Sequence, residues 1–336
     1  MSVALPYSTG PLLGPEFPLP LDRPFTTQQA RNEGVGEKTL ARLHRDGYLR
    51  RMVRGVYVAA QAVDSLPLRA QALALVVPEH AAVVDWTAVW LYTGLLLPGQ
   101  HHGVPPVSLF RQAGHHRLRN QLCNSGERTL LEEDVQEVAG LTVTTPIRTA
   151  WDVGRLTHRD NAIGALDALL RLDSFTHAQL LDGLGRFRGM RGVVQLRYLA
   201  AIADPRAESP GESLLRLRWL DLPGMPEPIP QVPIEDEHGR VVFRLDLGCP
   251  ELRYAAEYDG AEFHSRDEDV EHDLERRAWI EHRHGWVVDA FRRRNLVGPL
   301  RDIEDRLMAG TARARRNLGQ PHPPPQRGRS EPGGRF

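Results

Sequence analysis

The spacing of apolar and polar positions divides the chain of 336 residues into five stretches. Residues 1–24 contain several prolines and glycines and no apolar period, which is typical of a flexible leader. Apolar residues then recur at helical or strand spacing through three blocks, residues 25–60, 61–203 and 204–310. Residues 311–336 turn to Arg, Gln, Pro and Gly and predict a disordered tail. The pattern therefore predicts a multi-domain protein of the α/β class.

The first block predicts a winged helix-turn-helix. Thr26 or Thr27 can cap a first short helix, and a glycine turn leads to a second helix over residues 37–46. Two short strands are expected at residues 49–53 and 56–58, separated by an Arg-Gly turn. Helix, turn, helix and hairpin in this order form a winged helix.

The second block predicts a mainly helical middle domain with a few strands. Helices are expected at residues 68–77, 81–94, 162–172 and 176–184 and from Pro146 onward, with a short strand at 141–143.

The third block predicts an α/β domain that opens with a helix at Ser209 and Pro210, a serine cap followed by proline at the first helical position. The elements expected after it are strands at residues 231–233, 241–247 and 255–258, a helix at 267–283, a strand at 286–291 and a helix at 299–308.

Composition fits a globular protein, with 41% hydrophobic and 25% charged residues. The net charge of -1 excludes a chain that is basic throughout, so contact with nucleic acid would depend on local patches. Lys38 is the only lysine, and almost every other cation is arginine. A site that normally uses lysine must therefore use another residue here.

Cysteine spacing, the length of apolar runs and the phosphate-binding motifs indicate the cellular compartment and the cofactors to expect. Cys123 and Cys249 stand far apart in unrelated contexts, which disfavours a disulfide framework or zinc site and favours a reducing cytoplasm. The longest apolar runs, such as 72–77 and 198–203, are too short to span a bilayer, and no signal peptide is expected at the start. No Gly-Lys-Ser/Thr loop suggests a nucleotide cofactor.

Acidic residues gather on two neighbouring predicted strands of the third block. Asp246 and Glu257 lie on these strands, and Asp259 and His264 follow shortly after. Acids are depleted in strand interiors and costly when they face inward, so their presence indicates a site. Carboxylates at a strand end suit Mg²⁺, which takes oxygen ligands and polarises a scissile phosphate. The alternative is that they are ordinary strand-edge charges.

The order of elements and acids over roughly residues 205–308 resembles the PD-(D/E)xK nuclease superfamily, within it the branch of very-short-patch repair endonucleases. The resemblance implies a restriction-endonuclease-like fold, Glu212, Asp246 and Glu257 as Mg²⁺ ligands and His264 as the proton-transfer residue. Asp259 stands where the superfamily has a lysine, and it either joins the metal site or orients His264.

Two arginines follow on the next predicted helix. Arg276 and Arg277 could clamp a phosphate with their forked donors. The equally good alternative is a solvated helix face, because Arg277 stands four residues from both Asp273 and Glu281.

Basic residues also cluster in the predicted winged helix. They are Lys38, Arg42, His44 and Arg45 on the second helix and Arg50, Arg51 and Arg54 at the wing. Helix charges could enter a DNA groove while wing arginines hold phosphates. The alternative is a winged helix used for contact with protein.

The winged helix resembles the N-terminal domain of AbiEi-type antitoxins of type IV toxin–antitoxin systems, on residues 26–30, 40–43 and 50–57. Residues 143–152 are similar to the region that follows that domain. This resemblance implies binding to promoter DNA, with repression, and a toxin partner or self-association.

Two functions of different class remain at this point. One is a Mg²⁺-dependent DNA endonuclease in bacterial defence or repair. The other is a non-enzymatic AbiEi-like antitoxin or transcriptional repressor whose nuclease fold is vestigial.

Overall fold

The computed structural model describes residues 12–96, 107–111, 123–260 and 267–319. The chain divides into two compact units, Met1–Ala203 and Asp204–Phe336. Both units combine helices with sheets, so the predicted α/β class and multi-domain organisation are confirmed. Within the described ranges, no helix is both long enough and apolar enough to cross a membrane.

A winged helix opens the N-terminal unit, as predicted. Its elements are β1 (Phe25–Thr26), α1 (Thr27–Asn32), α2 (Glu37–Arg45), β2 (Leu49–Val53) and β3 (Val56–Ala59). The strands form an antiparallel sheet in the order β1-β3-β2.

Local sequence explains where α1 begins. The Thr26 hydroxyl accepts a hydrogen bond from the Gln29 amide, and the Gln29 side chain accepts one from the Thr26 amide, at 3.1 and 2.7 Å. This reciprocal capping box satisfies two amides that the first turn leaves without helical partners. The Gly34 turn has a φ of 80°, which glycine adopts without strain and which turns the chain into α2.

The prediction of a flexible leader is wrong for residues 12–24. Leu13, Phe17 and Leu19 are buried in the same core as Leu40 and Leu43. The carbonyl of Leu13 also accepts a hydrogen bond from the Gln61 side chain at 3.0 Å. An aperiodic segment can dock through a few apolar side chains, which a search for periodicity does not detect.

The rest of the N-terminal unit packs helices with a five-stranded sheet in the order β6-β5-β4-β8-β7. Its elements are α3 (Leu66–Ala74), β4 (Ala81–Val83), α4 (Asp85–Thr93), β5 (Val107–Arg111), β6 (Cys123–Glu127), β7 (Val135–Val138), β8 (Leu141–Thr144), α5 (Pro146–Leu156), α6 (Arg159–Leu170), α7 (His177–Asp182), a 3₁₀ turn (Gly183–Phe187) and α8 (Val193–Ile202).

Residues 81–94 differ from the single predicted helix. They form β4 and then α4, with Asp85 at a φ of 51° at the junction. A short apolar run fits a buried strand as well as a buried helix, so periodicity alone cannot assign it.

Buried charges join several elements of the N-terminal unit. Asp134 and Asp152 are each 1% exposed. The Arg148 guanidinium donates to Asp134 at 2.5 Å and to Asp152 at 2.8 Å. Arg128 donates to both Asp152 and Asp85. Removing one partner from such a buried pair costs about 3–5 kcal/mol, so this network fixes the sheet edge to α4 and α5.

The C-terminal unit is built on a four-stranded sheet in the order β12-β11-β10-β9, in which only β11 and β12 are parallel. Its elements are α9 (Pro210–Leu220), β9 (Ile229–Glu235), β10 (Val241–Cys249), β11 (Tyr254–Tyr258), α10 (Asp267–His284), β12 (Val287–Phe291), α11 (Arg293–Leu296) and α12 (Ile303–Asn317).

The last helix is longer than predicted. α12 continues to Asn317, so the predicted domain end at residue 310 and the predicted disorder of residues 311–317 are wrong. Buried residues recur at helical spacing at Leu307, Thr311 and Ala314. The packing of this face stabilises the helix through the arginine-rich sequence that follows residue 310.

Docking of the leader can be tested with Phe17→Ala. Phe17 is 4% exposed, and its ring lies 6.0 Å from that of Phe25. We expect the free energy of unfolding of the N-terminal unit to fall by about 3 kcal/mol, measured by urea denaturation. Leu12→Ala is the control, because Leu12 is 51% exposed, and it should change stability by less than about 0.5 kcal/mol. Equal effects of the two variants would show that the leader does not dock.

Candidate functional site

The first candidate surface is the solvent face of α2, which we call the α2 basic face and define as Lys38, Arg42 and Arg45. These residues recur at positions i, i+4 and i+7 and therefore share one face of the helix. The opposite face buries Leu40 and Leu43. None of the three cations makes a hydrogen bond or ion pair with another residue in the described ranges. Lys38 and Arg45 are exposed, while Arg42 is half-buried with its Nε covered, so the Lys38 and Arg45 donors are the most accessible to an anionic ligand.

The wing arginines do not behave alike. The Arg50 guanidinium donates to the carbonyl of Ala62 at 2.5 Å, so it helps to anchor the protein's own chain. Arg54 is exposed beside Gly55, at the tip between β2 and β3. Arg51 is half-buried, and within the described ranges its Nε has no hydrogen-bond partner. The Nε of Arg50 is buried in the same way, so exposure distinguishes only Arg54 as better placed than Arg50 to meet a ligand outside the protein.

The second candidate is an acidic site in the C-terminal unit. The register pairs Leu247 of β10 with Ala256 of β11, so Asp246 and Glu257 are the next pair along these strands and lie on one face. The amide of Tyr258 donates to Oδ2 of Asp246 at 2.8 Å. The sequence prediction that neighbouring strands bring these two acids together agrees with this register.

The electrostatics of Asp246 are perturbed. Burial is the largest effect and raises the pKa of this carboxyl to about 7. The hydrogen bond from the Tyr258 amide acts in the opposite direction, while the nearby charges of Glu212 and Glu257 raise the pKa further. Three acids thus share one electrostatic environment, and Asp246 changes charge near neutral pH.

Arg276 and Arg277 are placed differently from the predicted phosphate clamp. Arg276 donates through Nη1 and Nη2 to both oxygens of Glu257, at 2.9 and 2.8 Å. Arg277 adds a third hydrogen bond from Nε at 3.1 Å. Glu257 is 4% exposed, and a buried carboxylate requires such donors. The two arginines therefore act first as internal counter-ions for Glu257.

The Glu212 carboxylate accepts hydrogen bonds from the segment just before α9 and from β9. Its Oε2 accepts from the Glu208 amide at 2.9 Å and from the Gln231 side chain at 3.1 Å. Gln231 has a φ of 56°, an uncommon conformation for a residue other than glycine. Sequence reasoning missed Gln231, because a glutamine in a predicted strand carries no mark of this role.

Asp259 forms an ion pair with Arg292. Its carboxylate accepts from Nε of Arg292 at 2.9 Å, and its amide donates to the carbonyl of Phe291 at 2.8 Å. Joining the metal site and orienting His264 both stay predictions for Asp259. His264, the predicted proton-transfer residue, lies outside the described residues.

The acidic site as arranged does not fit Mg²⁺. In the described part of the chain, no group of three His, Cys, Asp or Glu residues is placed to hold a metal ion. Both oxygens of Glu257 already accept hydrogen bonds from guanidinium groups. Arg276 therefore occupies the place where a metal ion would contact this carboxylate. Metal binding would require Arg276 to leave Glu257.

Comparison with known proteins identifies the class of the N-terminal unit. Residues 22–60 match the family model described as "Transcriptional regulator, AbiEi antitoxin". Residues 81–201 match the model described as "AbiEi antitoxin C-terminal domain". Both AbiEi antitoxin domain families are thus found in the N-terminal unit, which confirms this part of the predicted resemblance.

Relatives of known source cover most of the chain. Two uncharacterized proteins of Mycobacterium tuberculosis, from strains CDC 1551 and H37Rv, are each 35% identical over 278 residues. The alignments span 80% of this chain and 93% of each relative. The chain belongs to the same family as these mycobacterial proteins.

The perturbed acid gives a pH-dependent prediction. The pKa of Asp246 is about 7 in the folded chain and about 3.9 in an unfolded one, so its contribution to stability is complete below pH 4 and is lost as pH rises through 7. We expect Asp246→Asn to stabilise the C-terminal unit by about 2 kcal/mol at pH 8 and to change it little at pH 4. Hydrogen exchange in β10 and β11 measures this.

The control is Asp236→Asn in the same unit. Asp236 is half-buried in the turn between β9 and β10, and the hydrogen bond from the Arg240 amide holds the pKa of its carboxyl below the usual value. This variant should therefore bring no gain at pH 8. A loss of protection at pH 8 in Asp246→Asn would contradict the electrostatic account.

Proposed function

We propose that this protein is a DNA-binding transcriptional regulator of the AbiEi antitoxin type. The observation that carries the proposal is the α2 basic face, whose three cations have no partner in the described ranges and lie within the segment that matches the regulator family. A row of cations along one helix of a winged helix is the arrangement that positions a helix against DNA.

The chemistry of the proposed contact follows from the side chains. B-DNA's major groove admits an α-helix, and arginine forks match the acceptor edge of guanine. Arg42 and Arg45 are suited to base edges, while Lys38 supplies a point charge for a phosphate. Arg51 and Arg54 of the wing would hold neighbouring phosphates, which fix the register of the protein on the duplex. A local patch of this kind functions although the whole chain has a net charge of -1.

A toxin partner is the second part of the proposal. Residues 81–201 match an antitoxin domain, and antitoxins act against a cognate toxin. Self-association of the same domain is the alternative, and analytical ultracentrifugation with and without the adjacent gene's product would separate the two.

DNA cleavage by the C-terminal unit is a second candidate function. It is favoured by Asp246, whose raised pKa reflects burial beside two further acids, the kind of perturbed carboxyl that marks reactive sites. The mixed sheet flanked by α9 and α10 supports the predicted restriction-endonuclease-like fold. Because Arg276 occupies both oxygens of Glu257, cleavage would depend on release of that pair.

The DNA-binding proposal predicts the effect of neutralising the α2 basic face. The triple variant Lys38→Gln, Arg42→Gln and Arg45→Gln should bind a duplex from the gene's own promoter at least about 100-fold more weakly. The slope of log affinity against log salt should fall by about 0.9 for each lost phosphate contact. Fluorescence anisotropy at several salt concentrations measures both quantities.

A matched control is available on the same unit. Arg188, Arg191 and Arg197 are exposed, and their replacement by Gln removes the same three charges away from α2. This control should retain near-parental affinity. If both triple variants lose affinity equally, binding depends on total charge and the winged-helix proposal fails.

The cleavage candidate predicts nicking of supercoiled plasmid by the parent protein with Mg²⁺, and loss of nicking in Asp246→Ala. The control, Glu237→Ala, removes an exposed acid from the same unit and should retain activity. Far-ultraviolet circular dichroism verifies that both variants are folded. Absence of nicking by the parent on plasmid and on mismatched duplexes would exclude this function.

A further inference from the structure

We infer that the C-terminal unit holds a second contact for nucleic acid, a groove that binds the phosphodiester backbone through Arg253 and Arg316. The groove has a volume of about 540 Å³. Its lining includes Arg253, Gly285, Trp286, Arg313 and Arg316, and we call it the basic groove. It is separate from the acidic site, because Arg253 precedes the first residue of β11 and Glu257 lies near the last.

The fold fixes Arg253 at one wall of the groove. Arg253 ends the turn between β10 and β11 with a φ of 49°, and its carbonyl accepts a hydrogen bond from the Val287 amide at 2.8 Å. Gly285, at the end of α10, has a φ of 68°. A Cβ atom at Gly285 would lie 3.1 Å from Nη1 of Arg253, so the absence of a side chain leaves room for the guanidinium along the backbone.

The last turns of α12 form the other wall. Arg313 donates to Asp289 at 2.7 Å, and Asp289 also accepts from the Tyr254 hydroxyl at 3.1 Å. These contacts fix α12 against β11 and β12 and leave Arg313 largely neutralised. Arg316 lies one turn further along, is exposed, and reaches the same groove.

The charge balance in the basic groove favours an anion. The guanidinium groups of Arg253 and Arg316 make no hydrogen bond or ion pair with another residue of the described ranges. Glu281 is the lining carboxylate, and its Oε1 accepts from the Val288 amide. His282 adds a further positive charge when protonated. In the described ranges, the guanidinium groups of Arg253 and Arg316 thus have no counter-ion. Arg276 and Arg277 differ, because they donate hydrogen bonds to Glu257.

Phosphodiester is the ligand class that these donors fit. A guanidinium offers parallel N–H donors that match two phosphate oxygens, and two such groups from separate elements suit successive phosphates of one strand. A contact of this kind adds affinity without base preference. Since the same chain carries the α2 basic face, a second contact raises the effective concentration of DNA at the first.

The test uses the full chain with the α2 basic face already neutralised by the triple Gln substitution. In this background, Arg253→Gln with Arg316→Gln should weaken binding of a random-sequence duplex about tenfold and lower the salt slope by about 1.8, that is about 0.9 per phosphate contact. Anisotropy titrations across salt concentrations measure both. The same pair in the parent background should reduce affinity without changing the preferred promoter sequence.

The control pair is Arg240→Gln with Arg301→Gln, which removes two exposed charges from the same unit. Arg240 pairs with Asp236, and Arg301 pairs with Glu304. Because these guanidinium groups already have counter-ions, the control should leave the affinity and the salt slope unchanged.

Three results would overturn the inference. The first is a lower melting temperature in the groove variant with unchanged DNA affinity, which would mean that the arginines only stabilise helix ends. The second is an equal loss of affinity in the control pair. The third is displacement of the duplex by a mononucleotide at equal concentration, which would show that the groove binds a small molecule instead of the DNA backbone. Failure of the winged-helix proposal is distinguishable, because then the triple substitution itself would leave promoter binding intact.

Discussion

The pairing of buried carboxylates with arginine is the interaction on which both units depend. A carboxylate removed from water costs several kcal/mol unless donors surround it, and this chain buries Asp134, Asp152 and Glu257 almost completely. Arg148 links the first two, and Arg276 grips the third with both terminal nitrogens. With a single lysine in the sequence, only arginine can supply these cations, and its fixed fork determines the orientation of each acid. The same requirement explains why Arg276 and Arg277 contact Glu257 in the acidic site of the C-terminal unit.

The arginines of this chain fall into two groups, those paired with buried acids and those that have no acidic partner in the described ranges. Arginines with buried acidic partners hold elements together. In the described part of the chain, the side chains of Arg42 and Arg45 on α2 and of Arg253 and Arg316 in the basic groove have no such partner. A guanidinium kept in water without a counter-ion contributes little to folding, so its position is free to serve a ligand. Arg276 and Arg277 of the predicted phosphate site differ from these residues, because both donate hydrogen bonds to the buried Glu257.

Much of the fold could be predicted because local chemistry determined it. Thr26 and Gln29 form the capping box that begins α1, and Ser209 with Pro210 begins α9, so these starts follow from nearest neighbours in sequence. The pairing of Asp246 with Glu257 followed from strand alternation. Features set by tertiary packing were missed: the docking of Phe17, the strand at Ala81–Val83 and the extension of α12 to Asn317. The partners of Arg276 and Asp259 also depend on how α10 and β12 lie on the sheet, which no local pattern encodes.

Two local basic surfaces in a chain of net charge -1 are a consistent arrangement for a DNA-binding protein. At physiological ionic strength a charge is screened beyond about 8 Å, so the acids elsewhere do not cancel either surface. A low net charge limits binding to unrelated polyanions, while each patch still gains from release of counter-ions at the phosphates that it contacts. Specificity must then come from the side chains that reach base edges, which in the proposed arrangement are Arg42 and Arg45 of α2. The basic groove contributes affinity alone, which is why the two surfaces should differ in sequence preference but share a dependence on salt.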